Sequence, residues 1–231
     1  MEITAGALIA FLFRWIHIFA GVVWIGLLYY FNFVQTEYFK ETEPAAKSSA
    51  IAKLVPRALA WFRYGALITF LSGVVLAAYM GNTVNFYILV GMILGTLMFL
   101  NVWLIIWPQQ KVVIASNAQV GSGGEPLPEA AGALAKAGLA SRSNTLFSLP
   151  MLFFMGASAH MTGTGSLPMS MSDAGPLQGV SMLAMILTVL VILALEVNAL
   201  IGKTGIMTSV AGVIHSGIGL TALLFLIIQY L

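Results

Sequence analysis

Only three histidines occur in the 231 residues, His17, His160 and His215, and there is no cysteine. His17 and His215 fall inside long apolar runs, and an ionisable group in lipid is a functional hypothesis by default. Counted from the ends of the runs 5–34 and 205–231, His17 lies about ten residues in from one membrane face and His215 nine or ten from the other, so each is ~15 Å deep in a ~30 Å core. Two imidazoles at one depth on separate helices can share one metal. Their neighbours suit a flat porphyrin: Gly21 follows His17 at i+4, while Gly219 and Gly212 flank His215 at i+4 and i−3 on the ligand's own face. This spacing fits a haem shared by His17 and His215, haem b in a chain without cysteine, better than a bare ion. An iron with two histidine ligands has no open position, so it would transfer electrons rather than bind substrate. The plainer reading is that each histidine makes an interhelical hydrogen bond, with glycine at helix contacts of a chain that holds 23 of them.

Arg14 lies three residues from His17 on the same face, where its guanidinium could pair with a haem propionate or snorkel outward. Glu196 is the one acid inside an apolar run. It fits a hydrogen-bond partner behind His215, a proton relay, or a partner of Lys203 or a neighbouring amide. His160 leads into Met161, Met169 and Met171, and imidazole with thioether on an external loop suits copper(I). A solvent-edge histidine with incidental methionines fits the same residues, and His160 is also the alternative axial ligand opposite His17. Asn101 and Asn198 read as hydrogen bonds between helices, and most tryptophans read as interfacial anchors. No serine and acid placement supplies a nucleophile, base and orienting group, which argues against a hydrolase.

The elements that must position these groups are membrane helices. The chain is 60% hydrophobic and 8% charged, with a mean hydropathy of +0.97, against roughly 25% charged in a soluble domain. A net charge of +2 with no dense basic face excludes nucleic-acid binding as a first reading. Without thiols there can be no disulfide, iron–sulfur cluster or covalently attached c-type haem. Breaks at polar, Gly and Pro clusters divide the chain into six spans, 5–34, 61–80, 84–107, 144–162, 177–202 and 205–231, the fourth being the least apolar. The expected fold is an all-α polytopic membrane helix bundle of about six transmembrane helices in one domain, 1–231, with cytoplasmic segments 35–60 and 108–143. The first run carries Arg14 and no basic leader, so it reads as a retained span rather than a signal peptide. In the first cytoplasmic segment, Ile51, Leu54, Val55 and Leu59 have the spacing of an interfacial helix, interrupted by Pro56. The second holds a Gly and Pro linker, 120–128, and then the Ala-rich helix former 129–140. There is no Walker pattern and no convincing internal repeat.

Three stretches together resemble a known family. They are Arg14-Trp-Ile-His17 through Gly21, Trp24 and Gly26 to Tyr29-Tyr30-Phe31; Asn101-Val-Trp103 through Trp107-Pro108 to Lys111; and Arg142-Ser-Asn144 through Leu149-Pro150 to His160. The combination resembles the urate oxidase N-terminal membrane domain, the membrane part of a bacterial urate hydroxylase. The resemblance implies a redox role in a bacterial inner membrane, with Arg14, His17 and His160 inside the matching stretches and His215 outside them. Members of that family carry a C-terminal cytochrome c domain, and this sequence has no cysteine to hold a c-type haem. The expected electron partner is therefore a separate cytochrome c, a quinone or a larger redox complex. Two other function classes stay open: a copper-handling or transport protein built on His160, and a structural subunit of a larger membrane complex.

Nine of the ten Lys and Arg residues, all but Arg14, fall in alternate loops or, as Arg63 does, just inside the span that follows, which places those loops in the cytoplasm and both termini in the periplasm. Cysteines introduced at Ser122 and Ser166 should label from opposite sides of the membrane. Labelling of both from the periplasmic side would overturn this orientation.

Overall fold

The computed structural model describes residues 4–161 and 180–231. Among these it has seven helices and no strand: α1 (Ala5–Glu41), α2 (Pro44–Lys53), α3 (Val55–Met80), α4 (Phe86–Gly121), α5 (Ala130–His160), α6 (Met182–Ile201) and α7 (Val210–Tyr230). Five of them, α1, α3, α4, α6 and α7, are long and apolar enough to cross a membrane. The all-α membrane bundle expected from composition is the fold observed.

α5 has the length of a span, with 31 residues, but not the apolarity. Its polar side chains are turned inward: Arg142, Ser143, Asn144, Thr145 and Ser148 are all buried. α5 packs on α4, α7, α6 and α1, and so forms the centre of the bundle. From Arg142 to Ser148 every side chain is buried, so this part of α5 has no lipid-facing stripe to keep apolar, which is why its hydropathy signal is weak. Conversely, α1 exposes Leu8, Phe11, Leu12, Trp15, Phe19 and Val22 at helical spacing, the pattern of a peripheral helix facing lipid.

Several boundaries differ from those read off the sequence. α1 continues to Glu41 and α4 to Gly121, each through one wide π turn, Tyr30–Gln35 and Asn101–Ile106. In α4 the cause is Pro108, which has no N–H for the i−4 carbonyl and whose ring would clash with it; the wider turn relieves both. In α1 the Thr36 hydroxyl donates to the Phe31 carbonyl five residues back, at 2.7 Å. The single interfacial helix expected around Ile51 to Leu59 is divided, because Pro56 sits in the first turn of α3, where a missing N–H costs nothing. The Ala-rich stretch after the 120–128 linker is not a separate helix but the first turns of α5, whose Ala130–His160 course is continuous.

Close helix approach is made at glycines. α1 and α3 share an extensive interface. A Cβ at Gly65 of α3 would stand 3.2 Å from the Trp24 backbone nitrogen and 3.4 Å from the Ala20 carbonyl oxygen. On the other side of the bundle, a Cβ at Gly217 of α7 would meet the Leu146 carbonyl oxygen of α5 at 3.2 Å. Gly65→Val should therefore destabilise the protein by about 1–3 kcal/mol through overpacking, read as a lowered thermal midpoint in detergent. Gly26→Val, whose Cβ would have nothing within 4 Å, should leave the midpoint nearly unchanged.

Candidate functional site

His17 is half-buried at the interface of α1 with α3. Its Nδ1 lies 2.9 Å from the Thr69 carbonyl oxygen and 3.3 Å from Ser72 Oγ. Ser72 Oγ in turn donates within its own helix, 2.6 Å from the Ile68 carbonyl and 3.0 Å from that of Thr69. With a carbonyl in front of it and a hydroxyl whose proton is already committed, Nδ1 must be the protonated nitrogen. Nε2 then carries the lone pair, and it makes no hydrogen bond among the described residues. Gly73 lets the ring seat there, because a Cβ at that position would lie 3.1 Å from His17 Cε1. Gly21, one turn along α1, faces the same helix, its Cβ position 3.8 Å from Thr69 Cγ2. An imidazole oriented by a backbone carbonyl through one nitrogen and free at the other is the arrangement found in histidines that ligate metals. His17 is thus a residue that would fit to hold a haem iron through Nε2.

The other residues picked from the sequence are placed differently. Arg14 is exposed on α1 beyond His17. His215 is exposed on α7, as is Gly219, whose added Cβ would meet nothing within 4 Å. α7 begins at Val210, after a short 3₁₀ turn at Gly205–Thr208, so His215 is nearer its helix end than a span starting at 205 implied. It lies two residues from Gly217, which packs on Leu146 and Leu149 of α5. α1 touches that part of α5 at Tyr29, 2.9 Å from Ser148, and His17 is about 18 Å farther along α1 at 1.5 Å per residue. The structure does not bring His17 and His215 together. His160 is exposed at the end of α5, a helix that α1 does contact. Met169 and Met171, invoked for copper beside it, lie outside the described residues, and no group of three or more His, Cys, Asp or Glu that could hold a metal occurs among the described ones.

Glu196 belongs to a second site, a polar junction of three helices. Asn101, the first residue of the π turn in α4, donates through Nδ2 to Asn144 Oδ1 of α5 at 3.0 Å and to Glu196 Oε2 of α6 at 3.1 Å. Asn144 Nδ2 donates back to the Met98 carbonyl of α4 at 2.9 Å. All three side chains are buried. Of the roles open to Glu196, the structure realises the neighbouring amide; the one ion pair among the described residues is Lys40 with Glu37. Asn101 bonds between helices as expected, but Asn198 closes the end of its own helix, accepting from the Lys203 N–H and donating to its carbonyl. A parallel tie joins α1 to α5: Asn32 Nδ2, in the other π turn, donates to Ser141 Oγ at 2.8 Å.

Thr69, Ser72 and Gly73 had not been singled out, although polar or small residues at i, i+3 and i+4 in an otherwise apolar helix are a legible signal. Asn144 stood in a family-like stretch without a role of its own.

A polytopic all-α membrane protein with a buried carboxyl and carboxamide junction at its centre is the class this fold and site define. The urate oxidase N-terminal family model matches residues 78–174, the same family that the sequence resembles. The match covers the helices that carry Asn101, Asn144 and His160, and leaves His17, Glu196 and His215 outside it. Comparison with curated proteins finds no match, and comparison with solved structures finds none either.

Interhelical hydrogen bonds in membrane proteins average ~0.6 kcal/mol, up to ~1.7. A double-mutant cycle of Asn101→Ala and Asn144→Ala, measured by unfolding in mixed micelles, should give a coupling of about 1 kcal/mol. Additive losses would show that the two carboxamides do not support one another.

Proposed function

We propose that this is a urate-hydroxylase-related membrane redox protein that binds haem b, with His17 as an axial ligand. The observation that carries the reading is the His17 Nδ1–H bond to the Thr69 carbonyl, which leaves Nε2 free to coordinate. The family match over α4 and α5 supports the redox class independently. Haem b, when bound, supplies one-electron transfer between donors and acceptors. The chain's own part is to hold the imidazole: Thr69 and Ser72 fix its tautomer and rotation, and Gly73 leaves it room. Electrons would pass to or from a separate cytochrome c or a quinone in a bacterial inner membrane. Glu196, buried with Asn101 and Asn144, is the carboxyl available to hold a proton when charge changes nearby.

As the second residue that would hold the haem, His160 is supported over His215 by helix adjacency, because α5 contacts α1 whereas α7 packs chiefly on α5 and α6. His17→Ala should abolish or sharply lower haem content in protein that still inserts. Gly73→Val should lower it in part by displacing the ring. The reduced-minus-oxidised spectrum of His160→Met should lose the low-spin bis-histidine signal, while that of His215→Met should keep it. Full haem occupancy in His17→Ala would sink the proposal, and a signal lost only in His215→Met would restore His215 as the second ligand.

A further inference from the structure

Arg63 has no counter-charge among the described residues. It projects from α3 onto Trp107 of α4, with its guanidinium carbon 3.7 Å from one Trp107 ring centre and 5.0 Å from the Tyr64 ring centre. Its Nε and Nη1 are buried with no hydrogen-bond partner, and Nη2 is the one guanidinium nitrogen not sealed in this way. Among the described residues the only ion pair is Lys40 with Glu37, so no carboxylate comes within 4.0 Å of Arg63. Contact with aromatic faces offsets part of the cost of holding this charge away from water, but it does not neutralise the charge. A second cation is at hand, since Lys111 Nζ lies 5.7 Å from a Trp107 ring centre.

The surroundings indicate what would neutralise it. Trp61, Tyr64, Trp103 and Trp107 form an aromatic belt on α3 and α4, with Tyr64 edge-on to Trp103 at 6.1 Å, and such belts mark the level of lipid headgroups. This is the end of the bundle where α2, carrying Lys47 and Lys53, is tied to α4 through Ser48 and Asn117. Next to Arg63 an open, wholly apolar groove of about 170 Å³ is lined by Ala60, Trp61 and Tyr64. Trp61 is 69% exposed and Tyr64 48%.

We propose that this belt is a binding site for an acidic phospholipid. The phosphodiester is held by Arg63 and Lys111, and an acyl chain lies in the groove at Trp61 and Tyr64. The two halves of the site match the two halves of such a lipid, and a zwitterionic lipid brings its own ammonium and gains less from the uncompensated cations.

The test uses the full chain in detergent, titrated with mixed micelles of phosphatidylglycerol or of phosphatidylcholine with the same acyl chains. Phosphatidylglycerol should raise the thermal midpoint saturably where phosphatidylcholine does not, and the effect should shrink as salt is added. With brominated chains it should also quench tryptophan fluorescence more, a difference lost in Trp61→Phe. Arg63→Gln should weaken half-saturation roughly fivefold or more, about the weight of one basic residue at an anionic surface, and Lys111→Gln should weaken it less. If Arg63→Gln does not fold, Arg63→Lys keeps the charge without the planar fork and should retain part of the preference. Equal effects of the two lipids, or an undiminished preference in both Arg63 variants, would overturn the proposal. Inorganic phosphate or glycerol 3-phosphate reproducing the whole shift would overturn it too, because the site would then take a free anion.

Discussion

A polar side chain that cannot reach water must find its partner inside the protein, and the middle of α5 imposes that requirement on everything around it. Ser141 to Ser148 place hydroxyls, a carboxamide and a guanidinium in the centre of an apolar bundle. In lipid each unpaired group would cost several kcal/mol. The neighbouring helices answer Ser141, Asn144 and Ser148 with Asn32 and Tyr29 from α1 and Asn101 from α4, with Glu196 beyond it, while Arg142 Nη1 and Ser143 Oγ find no partner among the described residues. Both π turns fall where these asparagines meet α5, so the departures from regular helix and the polar contacts belong to one arrangement.

The same constraint separates two kinds of site. At the junction of α4, α5 and α6, carboxamides and a carboxyl satisfy one another across three helices, an arrangement suited to holding a proton in a dry interior. At the interface of α1 with α3, a lone imidazole is satisfied on one nitrogen only. That asymmetry is what sets His17 apart from a packing residue, since a histidine present only to pack would have little use for an unpaired lone pair in lipid. Arg63 is a third case, in which a cation is stacked on indole.

Glycine decides how closely the elements can approach. Gly65 brings the α1 backbone against α3, and Gly73, two turns on, admits the His17 ring to the same helix. In an apolar environment without a hydrophobic drive between helices, such close approach supplies much of the association energy through dispersion. The His17 ring and the structural contact therefore share one interface, and a change that loosens α1 from α3 would also loosen the hold on the imidazole.

The amino-acid sequence alone determined the solvent and the class. Long apolar runs with few charges can only be membrane helices, and His17, Asn101 and the family-like stretches around Asn144 stand out as polar residues that lipid does not tolerate without a reason. It could not determine which runs are adjacent. Depth counted along separate helices paired His17 with His215, but helix starts shift by several residues when a 3₁₀ turn precedes them, and depth carries no information about azimuth. Only tertiary packing set the Thr69 carbonyl before His17, turned His215 outward and closed Asn101 on Asn144 and Glu196. The physical reason is that hydropathy is a property of each residue, while a hydrogen bond depends on the distance and direction between two helices.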